Sequence, residues 1–155
     1  MTETDAACRV YLDANIFIYA LEGEPAISEP LHEMFLAARA SPQSRLVTSE
    51  LTLAEVLCKE NQPSATTQLY LDLLASSGIV QLQPVSRDVL MGSAQLRRVI
   101  APFKLADAIH VASAMQAECG LFMSMDGRLK SLPAGMRRVA ADRQGLASVM
   151  KALHG

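Results

Sequence analysis

Short aliphatic runs return five times along this chain, and nearly all are separated by stretches long enough for a helix; that alternation restricts the fold more than any other feature. The runs are Arg9-Val10-Tyr11-Leu12, Leu46-Val47, Ile79-Val80-Gln81-Leu82, Leu121-Phe122-Met123 and Arg138-Val139. Near-continuous runs of this kind suit strands buried on both faces. Between them, apolar spacing predicts helices over 28–40, 49–60, 64–76, 87–100, 104–118 and 143–153. Ser28 before Glu29-Pro30 is a helix-start signal, and Gly78 and Gly120 stand where helices should stop. Helices between strands imply an α/β fold whose parallel sheet is covered on both sides.

With 155 residues, the chain suits one domain and can bury a core without disulfides. Half of the residues are hydrophobic and 19% are charged, and no run approaches the roughly 18 apolar residues of a membrane span. The first residues, Met1-Thr2-Glu3-Thr4-Asp5, are acidic where a secretory signal would be basic, so a cytoplasmic location is expected. Cys8, Cys58 and Cys119 lack the spacing of a zinc site and read as reduced, buried side chains. Net charge is −2, unevenly spread: residues 1–60 hold 4 basic and 10 acidic side chains, and the remainder holds 10 basic and 6 acidic.

In a parallel α/β sheet, functional groups collect at the carboxyl edge, where crossover helices begin. Asp13 directly follows the first run and Asp126 follows Leu121-Phe122-Met123-Ser124-Met125, so both should project from that edge. Glu55 falls about 9 Å along the helix that starts near Ser49, among Leu51, Ala54 and Cys58 on an apolar stripe. Asp107 opens a helix, Leu105 to Ala114, that is apolar almost all round and therefore buried. Four carboxylates in one cleft repel and raise one another's pKa unless a cation offsets them. Oxygen-only donors suit Mg²⁺ or Mn²⁺, ions that activate water and stabilise charge at phosphodiesters. The chemistry expected is phosphodiester hydrolysis.

Three segments, taken in order, resemble the PIN-domain family, and within it the VapC-type toxin ribonucleases of toxin–antitoxin pairs. They are Tyr11-Leu12-Asp13-Ala14-Asn15-Ile16-Phe17-Ile18-Tyr19, Thr48-Ser49-Glu50-Leu51-Thr52-Leu53-Ala54-Glu55-Val56 and Leu105-Ala106-Asp107-Ala108-Ile109-His110-Val111-Ala112-Ser113-Ala114. The resemblance spans nearly the whole chain. It implies a three-layer α/β/α domain over residues 1–155 with a central, mostly parallel five-stranded sheet. It also implies a metal-dependent endoribonuclease in which Asp13, Glu55, Asp107 and Asp126 are catalytic and bind Mg²⁺ or Mn²⁺, with Asn15 orienting Asp13. The partners implied are an RNA substrate, a cognate antitoxin protein and a second copy of the chain. One departure concerns the fourth acid: the family often has polar residues such as Thr-Asn before it, whereas Ser124-Met125 stand here, leaving Ser124 to offer the hydroxyl.

Plainer roles stand beside these. Asp13 is a favoured helix N-cap, and Asp126-Gly127 is a common turn pair. Glu50 lies ~140° around the helix from Glu55 and should meet the helix dipole instead of sharing its metal. His110, ~60° around from Asp107, could touch substrate, hold a carboxylate or simply fill the core. Arg87, Arg97, Arg98, Lys104, Arg128 and Lys130 are solvated cations or phosphate contacts, and Lys104 and Arg128 are the best substrate candidates because each lies within three residues of a proposed ligand. The apolar segment 69–74 could pack the core or form an interface. Two other functions compete: an inactive PIN-like binding module for RNA or protein, and an Asp-nucleophile phosphatase. The phosphatase would want a second Asp at position 15, where Asn15 stands.

Overall fold

The computed structural model describes residues 8–41, 43, 45–100, 103–129 and 131–154. Lys130 and the acidic residues 1–5 therefore lie outside the described residues. Five strands, β1 (Arg9–Leu12), β2 (Leu46–Ser49), β3 (Val80–Gln83), β4 (Cys119–Met123) and β5 (Arg137–Val139), make one sheet in the order β3-β2-β1-β4-β5. Every pairing is parallel, so the mostly parallel sheet expected is parallel throughout.

Seven α-helices are described: α1 (Ala14–Glu22), α2 (Pro25–Ala40), α3 (Leu51–Val56), α4 (Ser64–Leu71), α5 (Arg87–Val99), α6 (Leu105–Gln116) and α7 (Arg143–His154). Side chains alternate across each strand, and the two faces feed two cores. Val10, Leu12, Leu46, Val80, Leu121 and Met123 pack with residues of α1, α2, α4 and α7. Tyr11, Val47 and Phe122 face the other way, onto α5 and α6. The result is a three-layer α/β/α arrangement. No helix among the described residues is long and apolar enough to cross a membrane.

Several boundaries differ from the sequence expectation, each for a local reason. Helix α2 begins at Pro25, which occupies its first turn, so Ser28 is buried inside the helix and does not cap it. Pro30 then lies within the helix, where it supplies no N–H. The helix expected over 49–60 is cut to Leu51–Val56: Gln62 Nε2 donates to the Val56 carbonyl at 3.0 Å, and Asn61 takes a left-handed φ of 60°. Helix α4 runs on into a π-helical turn, Asp72–Ser76, before Gly78 (φ 71°) turns the chain.

Gly120 does not stop α6 but belongs to β4. Glu118 makes the left-handed turn instead, at φ 56°, and its N–H reaches the Met115 carbonyl at 3.0 Å. For a residue with a Cβ that conformation costs roughly 1 kcal/mol. Gly120 marks an irregularity in the β1–β4 ladder: Arg9 pairs with Cys119 and Val10 with Leu121, so Cys119 joins the opposite core from Leu121. A Cβ on Gly120 would lie 3.3 Å from the Cys8 Cβ.

Strand β1 is central, and the chain leaves it toward β2 on one side and returns to β4 on the other. That reversal makes the carboxyl ends of β1 and β4 the topological switch point, the place where open α/β sheets bind their ligands.

Candidate active site

Asp13 is the residue after β1 and Ser124 the residue after β4, and the pairing of Leu12 with Met123 brings them side by side. Asp13 is 7% exposed, and a buried carboxylate needs donors. It has three. Oδ1 accepts from the Ala14 N–H at 2.9 Å, while Oδ2 accepts from Ser124 Oγ at 2.7 Å and, at the outer limit of 3.5 Å, from Asn15 Nδ2. The helix-capping role and the site role of Asp13 thus coexist. Asn15 also accepts from the Met125 N–H at 3.4 Å, so it spans the two strand ends. Ser124 in turn accepts from the Asp126 N–H at 3.0 Å, which holds the loop carrying the fourth acid.

Asp107 lies in the first turn of α6, whose residues Ala108 to Ala114 are all buried. The helix ends two residues before β4, so its start falls at the carboxyl edge. Burial raises the Asp107 pKa, and the negative charges of Asp13 and Asp126 raise it further, with Arg128 offsetting part of the rise. Three acids separated widely in sequence therefore share one field.

Asp126 is differently placed. Arg128 grips it in a forked pair, with Nε 3.0 Å from Oδ1 and Nη2 2.8 Å from Oδ2, and this pairing pulls its pKa down to about 2. Its backbone also forms the turn suggested by Asp126-Gly127, with the Arg128 N–H on Oδ1 at 3.0 Å. Arg128 itself is exposed, and Lys104 is an exposed residue at the start of α6. Arg97 is turned to the Phe103 carbonyl at 3.2 Å.

Glu55, on α3, reaches the group through His110. The imidazole is 1% exposed; its Nε2 hydrogen-bonds Glu55 Oε1 and lies 3.8 Å from Asp13 Oδ1. Its Nδ1 is 2.5 Å from the Tyr11 hydroxyl, and that hydroxyl accepts from the Ser49 N–H at 3.1 Å. Glu50 is exposed and remote from this contact, its backbone N–H bound to the Gln83 carbonyl at 3.0 Å. Below the site, Thr48 Oγ1 donates to the Leu12 carbonyl at 2.7 Å and sits 2.7 Å from Thr52 Oγ1, fixing the end of β2 and the start of α3 to β1. Tyr11, Thr48 and Thr52 were not singled out by sequence reasoning; the one signal was a polar tip or hydroxyl inside otherwise apolar stretches.

The donors gathered here are carboxylate, hydroxyl and amide oxygens, which fit a hard divalent cation in kind. As the side chains stand, no three His, Cys, Asp or Glu among the described residues form a closed metal cage. A separate groove of about 450 Å³ between α5 and α6, lined by Gly92, Leu96, Val99, Ala112 and Met115 among others, contains none of the four acids.

An all-parallel sheet with carboxylates at the carboxyl ends of its central strands defines an α/β protein with an acidic group at its topological switch point. The family model for the PIN domain matches residues 10–135, and the chain belongs to that family. No curated protein matches the sequence. Solved structures do match in fold. A toxin–antitoxin complex from Klebsiella pneumoniae shares 21% identity, with a TM-score of 0.62, over 83% of this chain and 95% of that one. DNA-bound VapBC from Salmonella typhimurium shares 17% identity at a TM-score of 0.68, over 87% of this chain and 99% of that one. VapBC2 from Rickettsia felis, bound to a promoter DNA fragment, shares 17% identity at 0.62, over 84% of this chain and 97% of that one.

Proposed function

We propose that this protein is a divalent-metal-dependent endoribonuclease, the toxin of a toxin–antitoxin pair, acting in the cytoplasm. The observation that carries the reading is the meeting of distant residues at the carboxyl edge of the sheet: Asp13 at the end of β1 is bound by Ser124 at the end of β4 and lies 3.8 Å from the His110 imidazole that holds Glu55. Membership of the PIN family and the likeness to toxin–antitoxin complexes support it.

Asp13, Glu55 and Asp107 would hold Mg²⁺ or Mn²⁺, with Asp126 as a fourth negative charge close by. A bound ion of this kind supplies water activation and offsets charge on the phosphate. The chain's own residues do the rest. Ser124 and Asn15 keep the Asp13 carboxylate aimed along β1. Arg128 and Lys104, both exposed at the site's rim, attract RNA phosphates by their positive charge. The cognate antitoxin is the expected protein partner, and a second copy of the chain is a further one. Leu69, 51% exposed beside the buried Tyr70, is the exposed apolar residue of segment 69–74 that could meet either.

Purified protein incubated with total RNA and Mn²⁺ should cleave it, and Asp13→Asn or Asp107→Asn should each abolish cleavage. Undiminished cleavage by both variants would reject the assignment. A second reading, an inactive PIN-like binding module, is favoured by the engagement of Asp126 with Arg128 and by the lack of a closed metal cage among the described residues. Mn²⁺ titration separates the two, since only an intact site should raise the unfolding temperature with added ion.

A further inference from the structure

We propose that Tyr11 and His110 are positioning residues: a buried hydrogen-bond chain from the Ser49 N–H through both side chains holds the Glu55 carboxylate at the acidic site with its second oxygen open to a divalent cation. This inference rests on the metal-dependent reading above.

Glu55 needs such a device. It sits on α3, a helix of six residues, and its side chain is 34% exposed, so its rotamers would otherwise spread into solvent. His110 and Tyr11, by contrast, are 1% and 0% exposed. Tyr11 is locked by stacking on Phe122, with centroids 4.9 Å apart and planes at 19°, and its ring meets His110 edge-on at 5.8 Å.

One arrangement of protons satisfies the whole chain. The Tyr11 oxygen accepts from the Ser49 N–H, so the phenol proton is free to go to His110 Nδ1. Nδ1 then acts as the acceptor, and the ring hydrogen lies on Nε2, facing Glu55 Oε1. Glu55 spends Oε1 on the imidazole and keeps Oε2, as carboxylates beside metal ions do when an outer partner orients them. The same Nε2 lies 3.8 Å from Asp13 Oδ1, so the imidazole fixes Glu55 relative to the first acid as well as to the helix.

The test uses the full-length chain and Mn²⁺ alone as probe. Mn²⁺ affinity is measured by calorimetry and by the shift in unfolding temperature for wild type, Tyr11→Phe, His110→Ala, His110→Gln and the double variant Tyr11→Phe/His110→Ala. Tyr11→Phe and His110→Ala should each weaken Mn²⁺ about 10-fold. His110→Gln, which keeps a donor near the Nε2 position, should recover part of that loss. The double variant should bind no more weakly than His110→Ala, because both act through one chain.

A long-range proton–nitrogen NMR spectrum of wild type should show His110 as the Nε2–H tautomer, and Tyr11→Phe should lose that preference. Tyr11→Phe keeps the ring on Phe122, so it carries the test if His110→Ala does not fold. Unaltered Mn²⁺ affinity in Tyr11→Phe, with Asp13→Asn abolishing binding, overturns the positioning role and leaves the metal-dependent reading standing. A wild-type protein that binds no Mn²⁺ overturns both.

Discussion

Ser124 donates its hydroxyl proton to Asp13 Oδ2 across 2.7 Å, joining residues 111 positions apart in the chain at the ends of two paired strands. The contact exists because Leu12 and Met123 are register partners, which leaves the next residue of each strand facing its neighbour. It gives a carboxylate that is 7% exposed a donor from outside its own helix, in addition to the capping bond from Ala14.

Ser124→Ala removes that donor and also the acceptor of the Asp126 N–H. A hydrogen bond to a buried charge contributes about 2 kcal/mol, so the variant should unfold at correspondingly lower urea. RNA cleavage should fall with it, since Oδ2 of Asp13 then keeps only the long Asn15 contact. An unchanged urea midpoint would mean that Ser124 is not holding the carboxylate.

Removing a charge from the acidic group should act in the opposite direction on stability. Asp107 has a raised pKa, first from burial and then from Asp13 and Asp126, so its ionised form is under repulsion in the folded chain. In chelator at neutral pH, Asp107→Asn should therefore be no less stable than wild type, although it loses cleavage. Asp13→Asn should bring the Asp107 titration back toward the ordinary carboxylate range, read by carbon-detected NMR. A titration that stays where it was would show that the two charges do not interact.

Far from the site, Tyr70 donates to Glu22 Oε2 at 2.5 Å, and Lys59 Nζ lies 3.2 Å from Oε1. The Tyr70 bond, followed by Lys59, holds the Glu22 carboxyl below its usual value. A depressed folded pKa stabilises the protein above the unfolded value, roughly pH 4.3, and that contribution is lost as the pH falls through the folded value. Tyr70→Phe should cost about 1 kcal/mol at pH 7, discounted for partial solvent access, and clearly less near pH 3. Urea unfolding of both proteins at the two pH values checks this; an equal gap at both would count against the pairing.

The cysteines should separate by reactivity. Cys58 is exposed, whereas Cys119 is buried and burial pushes its thiol up to about 12. Iodoacetamide at pH 8 should modify Cys58 in the folded protein and reach Cys119 only on unfolding, as mass spectrometry of digests would reveal. Equal labelling of both in the native state is the contrary result.

Much of this molecule was readable from residue order. The five aliphatic runs became the five strands, and the alanine-rich stretch around Asp107 became the helix most completely buried. Asp13 and Asp126 followed strand runs, which predicted their edge. Misreadings were local. Pro25 took the helix start assigned to Ser28, and Glu118 took the left-handed turn assigned to Gly120, because packing overrode the preferred turn residue. All three cysteines were expected to be buried, yet only Cys119 is: Cys8 is half-buried, and Cys58 is exposed on the short connection that follows the shortened α3.

By itself the sequence determined the periodicities: which stretches are strands, which are helices, and which carboxylates stand next to a strand end or in a first helical turn. Those are short-range properties, set by side chains a few residues apart. Only the tertiary structure decided that Ser124 would serve Asp13 and that Tyr11 and His110 would reach Glu55. These contacts depend on strand order, register and helix packing, which bring distant residues within 4 Å, and a slip of one residue in β1 would turn Tyr11 to the opposite face of the sheet.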